Sequence, residues 1–312
     1  MRKKRCVRGT SVNDNSSKSV VLVLEVNEEC RYARHHQHKI ALFLSAMRHF
    51  AQNLPERCLQ VDYVQLDDPE NMGNRTSEVQ RAQARHQARR LVLTEPGKWR
   101  VQAMAASWSQ RLYVPVDIRP DDRFIASRER FQPWANGRRS SPIKNFYREI
   151  CREHQILLDG DQPDGGVWYL DKENRKSLQG ASSPPGRLRF EPDPTTRGVV
   201  AIVAQRFSKH FSTVATSCWP VVRSQAFAAL LDFITNALPW FGDYEDATKA
   251  GETFLYQTPL APSLNLDLLS PREVRAAAED AWRTVRAPIS ATEGFIRQIL
   301  AGRNTSAEPI GR

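Results

Sequence analysis

The stretch 32-YARHHQHKIALFLSAMRHF-50 decides how the rest of this chain is read. It opens on His35, His36, His38 and Lys39 and then turns apolar at Ile40, Phe43, Leu44, Met47, Phe50, Ala51 and Leu54. That spacing lays one stripe along a helix of 3.6 residues per turn. The run 20-VVLVL-24 precedes it and the alternating run Val61 to Leu66 follows, which makes a strand, a helix and a strand.

Working outward, Leu91 to Leu93 and Tyr113 to Ile118 read as two further strands, with helical patterns at 36–54, 76–89 and 99–109 between the four. Strands alternating with helices at this spacing predict an α/β domain built on a parallel, doubly wound sheet with right-handed crossovers. Such a sheet binds its ligand past the C-terminal ends of the strands. Those positions are Glu25, Asp67 with Asp68, Thr94 with Glu95, and Asp117. The chain has no G-x-G-x-x-G and no G-x-x-x-x-G-K-[ST], so the usual phosphate cradles are missing. A crevice rimmed by carboxylates suits a hydroxyl-rich neutral ligand or a divalent cation. The same acids also read as caps on the helices that follow.

A helix is expected from Asp121-Asp122 onward, and the segment 138–152 interleaves Arg138, Arg139, Lys144, Arg148 and Arg152 with Phe146 and Tyr147. Basic and aromatic residues in that mixture hold a nucleic-acid backbone and its bases, and a half-buried helix with a solvated cationic face has the same letters. Residues 158–198 are dense in Gly, Pro, Asp and Ser and read as a linker. Beyond it the strand signal stops, and helices are expected at 199–211, 223–238, 244–255, 271–285 and 292–300. The division is a basic arm at 1–18, an α/β domain at 19–157, the linker, an all-helical domain at 199–300 and a divergent tail at 301–312.

At 312 residues the chain is long enough for two domains with cores of their own. A formal net charge of +10 favours a polyanionic partner, because clustered Lys and Arg speed encounter with phosphates and release counterions on binding. The arm at 1–18 holds six Lys or Arg against one Asp. Cys6, Cys30, Cys58, Cys151 and Cys218 are scattered, with no C-x-x-C pair and no zinc spacing, so neither disulfides nor a metal site is expected. No run of 18 apolar residues occurs, and the basic N-terminus leads into polar residues instead of a signal core. The expectation is a cytoplasmic protein without a membrane span.

The motifs YARHHQHKIALFLSAMRHFA, VDYVQLDD, EPGKWRV, DDRFIAS, NFYREI, GGVWYLDKENRK, WPVVRSQA, LPWFGDYEDA, GETFLYQTPLAPSLNLDLLSPREV and EGFIRQIL occur in that order. Together they resemble the photolyase and cryptochrome superfamily, in its bacterial iron-sulfur branch, the deoxyribodipyrimidine photolyase-related proteins. The resemblance implies FAD in the helical domain and a ribityllumazine antenna in the α/β domain. It also implies damaged DNA as the partner, and light-driven, flavin-dependent repair of pyrimidine photoproducts as the activity. It places FAD at Thr258, Leu264 and Asn265. The acids Glu25, Asp67 and Glu95 are expected at the antenna, and Arg138, Arg139, Lys144 and Arg148 at DNA.

This sequence departs from the branch pattern in four places. Ala261 replaces a Ser, and Asp267 stands where a Gly is usual, bringing a carboxylate toward a diphosphate. An initial L-G-D-Q-L strand and the G-W-R-E-Y stretch expected after EGFIRQIL are not in the sequence, so the reading is of a chain cut short at both ends. With the second stretch go the ligands of the branch's 4Fe-4S cluster, which is not expected here. An incomplete flavin domain impairs repair, so catalytic residues stay unassigned. The alternative is a non-catalytic blue-light receptor or a module that binds DNA or a small ligand. The histidines of the opening helix read as caps and lining of the antenna crevice ahead of catalysis.

Overall fold

The computed structural model describes residues 19–57, 59–121, 123, 125–126, 128–135, 143–170, 174, 176, 178, 184–215, 217–252 and 254–304. The arm at 1–18, the residues Arg138 and Arg139, and 305–312 lie outside them. The chain divides into two compact units, one within 1–93, 102–118 and 189–222, the other within 94–101, 119–188 and 223–312.

In the first unit, β1 (Val20–Leu24) pairs in parallel with β2 (Gln60–Val64), with Val20 opposite Gln60 and Leu24 opposite Val64. Between them run the short helix α1 (Asn27–Arg31) and α2 (Gln37–Asn53). α3 (Arg75–His86) leads to β3 (Leu91–Thr94), and α4 (Trp99–Leu112) leads to β4 (Val116–Arg119). β3 and β4 form a second ladder, in which Leu91 N–H donates to Pro115 and Glu95 N–H to Arg119, as in parallel strands.

The period-2 alternation of β1 sends its side chains to two faces. Val21 and Val23 join Met47, Ala51 and Leu54 of the α2 side, whereas Leu22 and Leu24 join Val79, Ala105 and Trp108 of α3 and α4, together with Leu91 and Leu93. Helices thus cover both faces, as the doubly wound reading requires. Instead of one continuous four-stranded sheet, the described residues form two ladders that share the α3–α4 core.

α2 is buried on more sides than one stripe implies. Ile40, Ala41 and Leu44 pack against Val199, Val203 and Phe207, on or just past α7 (Pro194–Arg206). Phe43 and Phe50, expected in the buried stripe, are instead 39 % and 55 % exposed, because docking of α7 turns the Ala41 side inward. His36 caps α2 with its Nδ1, which accepts the His38 N–H at 3.2 Å. Asp193 caps α7 through the Thr196 N–H at 2.8 Å, and Pro194 sits at the first helical position. α7, read with the helical domain, is held in the first unit.

The second unit contains α5 (Arg128–Ala135), α6 (Ile143–Glu153), the small antiparallel pair β5 (Leu158–Asp159) and β6 (Gln162–Pro163), α8 (Arg223–Asn236), α9 (Leu238–Tyr244), α10 (Ala261–Asn265), α11 (Pro271–Arg283) and α12 (Ile289–Asn304). Its core includes the rings of Phe233, Phe241 and Phe295, whose centroids lie 4.9 to 5.9 Å apart. Gly242 allows α9 to approach α12: a Cβ there would lie 3.1 Å from the Ala291 Cα and strike the Asn174 amide. A full capping box, Ser270 with Glu273, starts α11.

Two expected helices are corrected. The helix read from Asp121 begins at Arg128. The helix read over 244–255 is absent, because α9 ends at Tyr244. Past that end the Gln257 amide donates to the Glu245 and Ala247 carbonyls, satisfying backbone that a longer helix would have paired internally.

Candidate functional site

At the C-terminal ends of β1 and β2, Glu25 lies inside the protein at 1 % exposure. Arg48 grips its carboxylate with Nε at 2.8 Å and Nη2 at 2.9 Å. The Leu66 N–H donates to it at 2.7 Å, and the Tyr63 hydroxyl donates as well. Arg48 Nη2 also reaches Asp67 Oδ1 at 2.8 Å, so Glu25 and Asp67 meet on one guanidinium. The hydrogen bonds that Arg48 donates to Glu25 hold it above the ordinary arginine range, and burial, then the Glu25 charge, pushes Tyr63 well above the usual tyrosine range. Glu25 therefore has its acceptor capacity filled from within, and Asp67, 42 % exposed, is the acid of the pair that faces outward. Glu95 falls in the other unit, where its N–H donates to Arg119.

Arg48 went unremarked in the sequence, although a signal was there. It follows Ala41, Leu44 and Ser45 on the buried face of α2, and a guanidinium on such a face requires a carboxylate.

A cavity of about 510 Å³ opens elsewhere in this unit, lined by Glu28, Asn74, Thr76, Ser77, Gln80 and Arg111, with Met104 and Leu112 beneath. That volume lies in the range of small-ligand pockets. Asn74 caps α3 by accepting the Ser77 N–H at 2.9 Å, and Thr76 Oγ1 accepts the Trp108 indole N–H at 3.1 Å. None of the three acids singled out from the sequence lines it; the run of amide and hydroxyl side chains at the start of α3 was the overlooked signal. The lining offers hydrogen bonds in both directions and one charge of each sign, which suits a polyhydroxylated ligand.

In the second unit, Thr258 is half-buried, with its Oγ1 accepting the Leu260 N–H at 3.3 Å, which leaves its O–H to donate. Leu264 is buried and Asn265 exposed on α10. Just before them Ser263, 1 % exposed, has a hydroxyl with no hydrogen-bond partner among the described residues. Asp267 has φ +59°, the left-handed conformation that glycine adopts without strain, and its carboxylate pairs with Arg123. Arg123 is shared with Asp121, so it only partly offsets the negative charge that this substitution brings to the segment. The donors at Thr258, Ser263 and Asn265 fit the binding of a flavin nucleotide, and the Asp267 carboxylate weakens it.

Among the described residues no group of three or more His, Cys, Asp or Glu side chains is placed to hold an ion. Burial lowers the pKa of His38, and His49 pairs with Asp193 at 3.0 Å.

α6 carries Lys144, Arg148 and Arg152 at a spacing of four residues, so they share one face. Lys144 Nζ lies 5.0 Å and the Arg148 guanidinium 5.1 Å from the centre of the Tyr169 ring. Arg148 and Arg152 lie 5.9 and 5.1 Å from Trp168, and Arg297 of α12 stands 5.5 Å from Tyr169. Cation–ring contacts of this kind contribute about 0.5–1 kcal/mol at exposed sites. The Tyr169 hydroxyl donates to the Lys144 carbonyl at 2.6 Å, which ties the segment to the helix. The acids of α6 lie on a different face, where Glu149 and Glu153 pair with Arg130.

The family model described as deoxyribodipyrimidine photo-lyase-related protein matches residues 8–219. A protein named (6-4) photolyase, from Agrobacterium fabrum, is 37 % identical over 289 residues, covering 93 % of this chain and 57 % of that protein. The crystal structure of a bacterial class III photolyase from Agrobacterium tumefaciens superposes with a TM-score of 0.52 at 15 % identity, over 92 % of this chain and 52 % of that one. The chain thus spans little more than half the length of these relatives, and the second likeness establishes the photolyase fold. With the family model matched over two thirds of its residues, the chain belongs to the deoxyribodipyrimidine photo-lyase-related protein family.

Proposed function

We propose that this chain is a cytoplasmic photolyase-type protein whose family activity is light-driven, flavin-dependent repair of pyrimidine photoproducts in DNA, an activity impaired in this chain. The observation that carries the reading is the segment 258–267. The family pattern expects a glycine near its end, and Asp267 adopts the left-handed backbone of one beside Arg123, which it shares with Asp121. That backbone at position 267 supports a flavin loop despite the substitution. Thr258, Ser263 and Asn265 would hold FAD by donating to its phosphates and hydroxyls, and Leu264 packs the loop onto the unit. Reduced flavin supplies the electron that light transfers to the photoproduct. In the first unit, the cavity beside α3 is the proposed seat of the ribityllumazine antenna, with Asn74, Thr76, Ser77 and Gln80 toward its hydroxyls.

Purification followed by absorbance between 300 and 700 nm tests the reading, with added FAD and a repair assay on an oligonucleotide carrying a (6-4) or a cyclobutane photoproduct. FAD bound near one per chain, with light-dependent repair well below that of the 37 % identical (6-4) photolyase, is the expected result. A protein that takes up no FAD overturns it, and FAD or DNA binding without repair favours the receptor or binding-module alternative.

A further inference from the structure

We propose that the face formed by Lys144, Arg148 and Arg152 of α6, with Arg297 beside it, is a phosphate-contact surface for the DNA backbone, and that Trp168 and Tyr169 brace its cations instead of stacking bases. The inference rests on the reading of DNA as the partner and concerns how this part of the molecule meets it.

Three features set this face apart from an ordinary solvated helix. Its three α6 cations have ring faces as neighbours, not carboxylates: no ion pair engages Lys144, Arg148 or Arg152 among the described residues, and Arg148 Nε is buried without a hydrogen-bond partner, whereas Arg297 also pairs with Glu293 at 3.5 Å. A ring orients a guanidinium without cancelling its charge, so the positive field stays available to a partner. Secondly, the acids of the same helix are occupied elsewhere, since Arg130 holds Glu149 and Glu153. Thirdly, positions 144, 148 and 152 rise about 6 Å from one to the next, a regular row of charge along about 12 Å of helix.

The rings explain why the partner is the backbone and not the bases. Tyr169 is flanked by Lys144, Arg148 and Arg297, and Trp168 by Arg148 and Arg152. A base stacking on either ring would compete with cations of the chain itself. The interleaving of basic and aromatic residues in the sequence admits both modes, and the arrangement favours the phosphates.

The test is fluorescence anisotropy of a labelled, undamaged 20-base-pair duplex, in the dark, over a series of KCl concentrations. K144A/R148A/R152A is expected to bind at least ten-fold more weakly near 100 mM salt. The slope of log K against log salt should flatten by about 2.7, three phosphates at about 0.9 each. Trp168→Leu, which removes the brace but no charge, should weaken binding less and leave the slope within about 0.5 of the parent value. Wild-type affinity and slope in the triple variant, with an unchanged circular dichroism spectrum, overturn the proposal, as does the absence of duplex binding by the parent. A loss in Trp168→Leu confined to single-stranded DNA also overturns it, because that is the signature of base stacking. If the triple variant does not fold, K144E/R152E replaces it, since both side chains are exposed. Because the readout needs neither flavin nor light, failure here leaves the repair reading standing, and binding through this face without FAD uptake removes only the repair reading.

Discussion

Arg48 and Arg148 are both arginines of amphipathic helices beside aromatic residues, and the two units use them in opposite ways. Arg48 lies against Glu25, Asp67 and Tyr63 at the end of a parallel ladder, and its charge is consumed there. Arg148 lies against Trp168 and Tyr169, and its charge is not. A carboxylate cancels a guanidinium's field and makes it part of the architecture. A ring holds the guanidinium in place and leaves the field pointing at whatever approaches. Which of the two an arginine becomes depends on the chemistry of the side chain across from it.

That contrast is sharpest in stability. Arg48→Ala strands the Glu25 carboxylate inside the first unit and should cost about 3–5 kcal/mol in denaturant unfolding. In the double change E25Q/R48M the cost should be clearly smaller, because no buried charge is left over. A single Arg48→Ala loss below about 1 kcal/mol would show that the pair is solvated and would break the comparison.

A smaller effect is expected where an acid pairs at the surface of the same unit. Burial tends to raise the pKa of Asp193, but hydrogen bonds from the Thr196 backbone and side chain, with the charge of His49, outweigh it and hold the carboxyl below the usual 3.8. A group depressed in the folded state adds stability above its unfolded pKa. For Asp193 that contribution is present above about pH 4 and is lost as pH falls through the folded value. Asp193→Asn keeps a capping oxygen and loses only the charge, so it should lower stability at pH 6 by about 1 kcal/mol or less and converge with the parent in strong acid. A difference that persists unchanged to pH 2 would assign the effect to packing.

A change of comparable size belongs to the second unit. Lys144→Ala with Arg152→Ala should alter stability by about 1 kcal/mol, two exposed ring contacts at the low end of their range, while weakening DNA binding, since both side chains are exposed and have no carboxylate partners among the described residues. A large destabilisation would make the stripe architectural, like Arg48.

Much of the fold was legible because periodicity is local. The run Val20 to Leu24 is the strand expected, and the helix read at 36–54 is α2 at Gln37–Asn53. The failures occurred where distant chain intervened. Phe43 and Phe50 share the apolar spacing of Ile40 and Leu44, yet α7, more than 140 residues later, decided which side of α2 was covered. The expected helix at 244–255 had suitable composition, but side-chain hydrogen bonds from Gln257 capture its carbonyls.

By itself the sequence determined the alternation of strands and helices, the change to helices after the linker, the family and the excess of positive charge. These follow from residue type and short-range spacing. Only the tertiary structure decided what each charge does, because an ion's fate is set by neighbours far away in the chain. It turned Glu25 from an open crevice acid into the buried partner of Arg48. It gave Asp267 both the backbone of a glycine and a counter-ion in Arg123, 144 residues away. It placed the cavity beside α3 rather than among the acids at the strand ends, and it set Trp168 and Tyr169 against the one face of α6 whose charges remain on offer.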